Sequence, residues 1–198
     1  GAEGIDFLAS LMTVHKVAPS VQEQKDLGGT GGLFKSGKMA MIYTDYAWTS
    51  DLRRDIKTFE WDVVEPARGK QKATWAGGSC MTVPTTTEHK DEAVDFVYYI
   101  CGPEGAKNFG SIPPIKAIAQ SSLFSDVKPP DNNQAAIRAL GYGVEPPMSP
   151  TFGQWYGKVI AALDAVWTGE KKTAEALTPI VPEIQELIDE GRKMLEAV

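Results

Sequence analysis

Gly32-Leu33-Phe34-Lys35-Ser36-Gly37-Lys38 has the spacing G-x-x-x-x-G-K of a phosphate-binding loop. That loop needs a hydroxyl directly after the lysine to hold magnesium, a strand before it and a helix after it. Here Met39 follows Lys38, a glycine-rich run at 28–32 reads as a flexible loop, and the apolar run 39–43 that follows reads as a buried strand. The context is reversed, so nucleotide binding is not supported. Asp45, Asp51, Asp55, Glu60 and Asp62 lie near aromatic residues, as paired carboxylates do in a glycosidase cleft. Acidic residues are mostly solvated surface, however, and sequence does not set carboxylate separations. A glycoside-processing enzyme using an Asp/Glu pair is therefore the alternative reading. His15 and His89 are the only histidines, no G-x-S-x-G elbow exists, and no ligand set has metal spacing. Neither catalysis, nor a metal, nor a cofactor is expected.

The aromatic residues point elsewhere. Trp48, Trp75 and Trp155 each adjoin loop or element-end positions rich in Gly, Asp, Thr or Pro. A sugar ring lays its C–H face on a flat aromatic side chain, while its hydroxyls need a few placed polar partners, so such a combination suits carbohydrates. Tryptophans also build cores. That reading holds for Trp61, which alternates with Phe59 and Val63, and for Trp167, which continues a helical stripe. For the other three both readings stand. Gly77-Gly78 interrupts an apolar run at 75–83, either as a bend or as backbone open to a ligand. A third reading is a non-enzymatic interaction domain whose aromatics are simply core.

The elements that must position these residues can be read along the chain. Its 198 residues allow one large domain or two small ones at ~100–200 residues each. With 42% hydrophobic and 23% charged residues the chain is a folding one. Its net charge of −6, with no basic stripe, excludes nucleic acid as a partner. No apolar stretch approaches the ~20 residues of a membrane span. Cys80 and Cys101 either form one bridge or serve as small half-buried apolar residues. No secretory signal stands at Gly1; the chain opens in a helical stripe of Ile5, Leu8, Leu11, Met12 and His15, stopped near Pro19. Residues 59–63 alternate as a half-exposed strand running into Pro66, and 68–72 form a polar turn. Ala93, Phe96, Val97, Ile100 and Cys101 mark a helix, and a further one begins near Pro103. Another spans about 134–140 and stops at Gly141. Trp155, Val159, Ala162, Leu163 and Val166 form a stripe, and so do Ile184, Leu187, Ile188, Gly191, Met194, Leu195 and Val198. Thr178-Pro179 reads as the cap of that last helix. Helices alternating with a few short strands make the class α/β.

Taken in order, the segments resemble a known family. Phe34-Lys35-Ser36-Gly37-Lys38-Met39-Ala40-Met41, followed by Trp48, resembles the "F-x-x-G-K-x-A-M … W" signature of bacterial extracellular solute-binding proteins of carbohydrate ABC importers, the maltose-binding-protein-like group. Residues 59–66, Gly77-Gly78, Lys90-Asp91-Glu92-Ala93-Val94-Asp95-Phe96, Ile112-Pro113, Trp155-Tyr156 and 169–177 resemble later segments of the same family in the same order. The resemblance implies a periplasmic-binding-protein-like (type II) fold and covers the C-terminal half of such a two-lobed receptor. By it, residues 1–74 and 122–198 belong to the second lobe, and 75–121 are an excursion that completes the first. The N-terminal half and its signal would lie upstream of Gly1, making this chain a truncated product. The implied function is to bind a sugar or oligosaccharide between the lobes and deliver it to a membrane permease, from the periplasm or as an extracellular lipoprotein. The implied ligand contacts are Trp48, Trp75 and Trp155, the backbone of Gly77 and Gly78, and Asp45 and Tyr46. Asp45 offers acceptors for two adjacent hydroxyls. The segment Thr44-Asp45-Tyr46-Ala47-Trp48 departs from the family's commoner "G-p-W".

Overall fold

The computed structural model describes residues 1–108, 110–145 and 147–196. In chain order it contains α1 (Ala2–Thr13), α2 (Val21–Asp26), α3 (Gly29–Lys35), a 3-10 turn at Tyr46–Trp48, α4 (Thr49–Asp55), β1 (Thr74–Trp75), α5 (Lys90–Cys101) and α6 (Pro103–Asn108). There follow α7 (Lys116–Ala119), α8 (Ser122–Ser125), α9 (Gln134–Leu140), β2 (Gly143–Val144), α10 (Phe152–Trp167), α11 (Thr173–Leu177), a 3-10 turn at Thr178–Ile180 and α12 (Val181–Glu196). The chain divides into two compact units, Gly1–Leu33 with Pro147–Val198, and Phe34–Pro146.

The first unit is helical. Ala9 of α1, Leu163 and Val166 of α10 and Ala176 of α11 form its buried core, flanked by Ile5, Val159, Trp167 and Leu177. The stripe of α10 thus packs as its spacing predicts, with Trp167 against the core, whereas α1 turns inward by a different set from its predicted stripe. In α1 the inward positions are Ile5 and Ala9, while Leu8 is half exposed and His15 lies beyond the helix in solvent. Asp6 of α1 accepts from both the backbone N–H (2.9 Å) and the hydroxyl (2.7 Å) of fully buried Thr173, satisfying the first turn of α11 from another element. These bonds favour the charged carboxylate and hold Asp6 below its ordinary range.

Two expectations are corrected in this unit. Residues 28–32 are not a loop throughout: α3 begins at Gly29, preceded by a left-handed turn at Gly28 and Gly29 (φ 77° and 76°). A Cβ on Gly32 would lie 2.0 Å from the carbonyl oxygen of Leu27, so only glycine permits that approach. The end of the chain is also not one capped helix. Pro179 sits in its own 3-10 turn and Pro182 in the first turn of α12, where a missing N–H breaks no helical bond. On α12, Ile184, Leu187 and Ile188 are half-buried and Gly191 buried, whereas Met194 and Leu195 are exposed; Val198 lies outside the described residues.

In the second unit Phe34, Leu52 and Ile56 form a core, with Met39, Ile42, Phe59 and Trp61 packed against it. The Phe34 and Phe59 rings meet edge to face at 5.8 Å. Trp61 is therefore the core residue its alternation predicts. The strands expected at 39–43 and 59–63 do not form, and of the run 75–83 only Trp75, at its start, lies in a strand. Among the described residues the sheet is β1 and β2 alone, parallel, with Thr74 opposite Gly143 and Trp75 opposite Val144. An extended apolar segment becomes a strand only when a neighbour takes up its N–H and C=O groups; Met39, Ile42, Phe59 and Trp61 pack by side chain against the core instead, and residues 77–82 are exposed. α5 forms as its pattern predicts, yet no residue of it is buried. Cys80 and Cys101 are both free thiols. Among the described residues no helix is long and apolar enough to cross a membrane.

Candidate functional site

Asp45, Tyr46 and Trp48 sit together on the 3-10 turn that leads into α4. The carbonyl of Asp45 accepts the Trp48 N–H at 3.1 Å, which closes the turn. Tyr46 is its anchor. Its phenol donates to Oδ1 of Asn133, and its ring tilts against Phe124 with centroids 5.5 Å apart. Asn133, 1% exposed, gives its amide to the carbonyls of Phe124 (3.3 Å), Ser125 (3.2 Å) and Val127 (2.8 Å). Burial pushes the Tyr46 phenol up from its ordinary range. Arg53, one turn along α4, donates through Nε to the carbonyl of Pro129 at 2.7 Å. The result is an exposed Asp45 and a partly exposed Trp48, at 39%, on either side of a phenol that is already engaged.

Trp75 and the glycine pair lie at the two-stranded sheet of the same unit. Trp75 and its cross-strand partner Val144 are 58% and 59% exposed, and the Ala76 N–H extends the ladder to the Val144 carbonyl at 3.0 Å. Gly77 and Gly78 lie exposed beyond β1 rather than inside a strand. A Cβ on Gly77 would meet three indole atoms of Trp75 at 3.2–3.3 Å, whereas one on Gly78 would meet nothing within 4 Å. Next to Trp75, the hydroxyl of Thr74 pairs with that of Tyr43 at 3.1 Å.

A polar cluster fastens the chain around this sheet. Glu65 accepts from Arg138 Nε (2.8 Å), Lys72 Nζ (3.1 Å) and the Tyr142 phenol (3.1 Å), and Lys72 also lies 5.1 Å from the Tyr142 ring centroid. Arg138 first, then Lys72 and Tyr142, hold the Glu65 carboxyl down to about 2. Sequence reasoning missed Glu65 and its partners. The partners lie 73, 7 and 77 residues away, so no local spacing marks them.

Trp155 belongs to the first unit and is 9% exposed there. Its Nε1 donates to Ser149 Oγ at 3.2 Å, that hydroxyl meets Thr151 Oγ1 at 3.1 Å, and Thr151 donates to the Leu187 carbonyl at 2.7 Å. An indole only donates and a carbonyl only accepts, so the chain runs one way from Trp155 to α12. The aromatic neighbours are Phe152, edge-on at 4.9 Å, and Tyr156, which stacks on Phe152 at 5.1 Å and is 46% exposed.

The acidic residues are mostly engaged structurally. Asp55 binds Lys35 (2.6 Å) and Arg54, Asp51 binds Arg54 (2.7 Å), and Asp62 accepts the backbone N–H groups of Val63 and Asn132. Among the described residues no group of three His, Cys, Asp or Glu could hold a metal ion. A surface cavity of about 440 Å³ in the first unit lies beside Asp6, Thr13 and Lys172, and none of the ligand contacts expected from sequence lines it.

The fold is that of a periplasmic-binding-protein-like receptor. The chain superposes on the ABC substrate-binding protein Lmo0181 from Listeria monocytogenes, in complex with cycloalternan, with a TM-score of 0.71 and 26% identity. The match covers 98% of this chain and 49% of that one, so the chain spans about half the length of the structure it matches. The model of the bacterial extracellular solute-binding protein family matches residues 10–136, and the chain belongs to that family. Among curated proteins none matches. The proteins it resembles are solute-binding proteins rather than enzymes.

Proposed function

We propose that this chain is part of the substrate-binding component of an ABC importer, which binds a sugar or oligosaccharide between two lobes and delivers it to a membrane permease. The observation that carries the proposal is the match along nearly the whole chain to a substrate-binding protein in complex with cycloalternan. The receptor works outside the cytoplasmic membrane, in the periplasm or as an extracellular lipoprotein. Residues 1–74 and 122–198 are assigned to one lobe and 75–121 to the other, with the N-terminal half of the receptor as the missing partner. α5 supports that assignment: it lies within 75–121, buries none of its residues and exposes Phe96 and Tyr99 at 56% and 57%. An apolar helix face of this kind is what a further layer covers.

Trp48 and Trp75 are the stacking faces of the reading, because both are exposed beside polar backbone. Asp45 supplies hydroxyl acceptors, Tyr46 holds the turn beneath it, and Gly77 and Gly78 line the Trp75 side. In the first unit Trp155 is the buried anchor of an aromatic group whose exposed member is Tyr156. Micromolar affinity requires ~8 kcal/mol, which one or two stacked faces and several hydrogen bonds supply. Lobe closure about the ligand then makes the state that the permease reads. Calorimetric titration of the complete receptor with cycloalternan and maltotriose tests the reading. At least one should bind, and Trp48→Ala and Trp75→Ala should each weaken it about tenfold. Unchanged affinity in both variants would overturn the site, and release of chromophore from aryl glycosides would overturn the non-enzymatic reading.

A further inference from the structure

We propose that Trp75 and Val144 form one ligand-facing platform for a single sugar ring, and that Gly77 is the positioning residue that sets the angle of its indole. The ligand role rests on the carbohydrate reading above; the positioning role stands on geometry alone. Partners in register on neighbouring strands point their side chains to the same face. Trp75 and Val144 are such partners, and Gly77 is two residues beyond Trp75. Two large apolar side chains, 58% and 59% exposed on paired strand positions, offer adjoining apolar surface. Lys72 and Arg138 are both held by Glu65. An indole and an isopropyl group are themselves uncharged and apolar, which suits the C–H face of a pyranose.

Gly77 has no positive φ, so its role is not conformational freedom. Its role is space. An added Cβ would meet Cζ2 and Nε1 of Trp75 at 3.2 Å and Cε2 at 3.3 Å, close enough that the indole must move. Gly78 is the internal control, since a Cβ there meets nothing within 4 Å and its φ is equally ordinary. Both positions are exposed and outside any helix or strand, so side chains at either are compatible with folding.

The test is fluorine NMR of the complete receptor labelled with 5-fluorotryptophan, the Trp75 signal being assigned by its loss in Trp75→Phe, together with calorimetry against maltotriose and cycloalternan. In Gly77→Val the Trp75 signal should shift and affinity should fall about three- to tenfold, the range of one displaced aromatic contact. Gly77→Ala should shift the signal the same way by less, and Gly78→Val should leave the Trp75 signal in place. Val144→Ala should leave the Trp75 signal near its place while weakening the sugar about threefold, for the methyl groups withdrawn from the ring. A Trp75 signal unmoved in Gly77→Val, or moved as far in Gly78→Val, overturns the positioning role. A signal that moves without loss of affinity overturns the ligand platform. If the unmodified receptor binds neither saccharide, the carbohydrate reading and the platform fall together, and the Trp75 signal alone still decides the role of Gly77.

Discussion

Replacing Asn133 by alanine should loosen the turn that carries Asp45 and Trp48. Asn133 is 1% exposed; its two amide hydrogens serve the carbonyls of Phe124, Ser125 and Val127, and its Oδ1 accepts the Tyr46 phenol. Phe124 and Ser125 close α8 and Val127 lies two residues beyond it, so the amide gathers the carbonyls of that helix end. Each intramolecular hydrogen bond contributes about 1 kcal/mol net, and each buried group left without a partner costs about 1–3 kcal/mol. Losing the amide and its acceptor together should therefore destabilise the chain by about 3 kcal/mol, a large share of a domain's ~5–15 kcal/mol. Tyr46→Phe removes one bond of the same set and should cost about 1–2 kcal/mol. Urea unfolding followed by tryptophan emission reads both values, and the double variant should cost less than the sum, because the two residues share a bond. A loss below about 1 kcal/mol for Asn133→Ala, or strict additivity, would refute the view that Asn133 holds the turn.

Glu65, held at about 2 in the fold against an ordinary value of 4.5, contributes stability that is fully present above pH 4.5 and is lost as pH falls toward 2. Glu65→Gln should flatten the pH dependence of the unfolding midpoint across that window, and an unchanged slope would show that the Arg138–Lys72–Tyr142 cluster does not load the carboxylate. Two helical glycines should respond with opposite signs. Gly157 of α10 is exposed with nothing near its missing Cβ, so Gly157→Ala should raise stability by up to about 1 kcal/mol. A Cβ on Gly191 would lie 2.7 Å from Thr151 Oγ1, whose hydroxyl is locked to Leu187, so Gly191→Ala should lower stability by about 1–3 kcal/mol. Thermal melts of the pair in parallel would refute this if both moved in the same direction.

Helices with a stripe of several turns were legible in the sequence. α1, α5, α9, α10 and α12 lie where their periodicity predicts, because a 3.6-residue repeat is a property of the helix itself. Of the shorter helices α6 was legible from Pro103, whereas α3, α8 and α11 were not. α11 is held at its start by Asp6, 167 residues away, and α8 at its end by Asn133, so the groups that stop these turns fraying are remote from them. α3 was misread because glycine composition speaks for a loop, and the burial of Leu33 and Phe34 outweighed it.

The tryptophans show where local pattern stops. Trp61 and Trp167 were assignable to the core because alternation and stripe say which face a residue occupies. Trp75 and Trp155 stand in similar company, yet one is 58% exposed and the other 9%. What separates them is the partner each indole nitrogen or ring finds. Trp155 meets Ser149 and Phe152 within its own helix and the residues just before it, whereas the indole of Trp75 lies close to a glycine two residues on. A ring against a glycine keeps its far surface free, and a ring whose N–H is engaged and whose edge meets another aromatic does not. A side chain's fitness to receive a sugar is thus set by what its immediate neighbours leave uncovered, which is why Gly77, having no side chain to offer, bears most directly on Trp75.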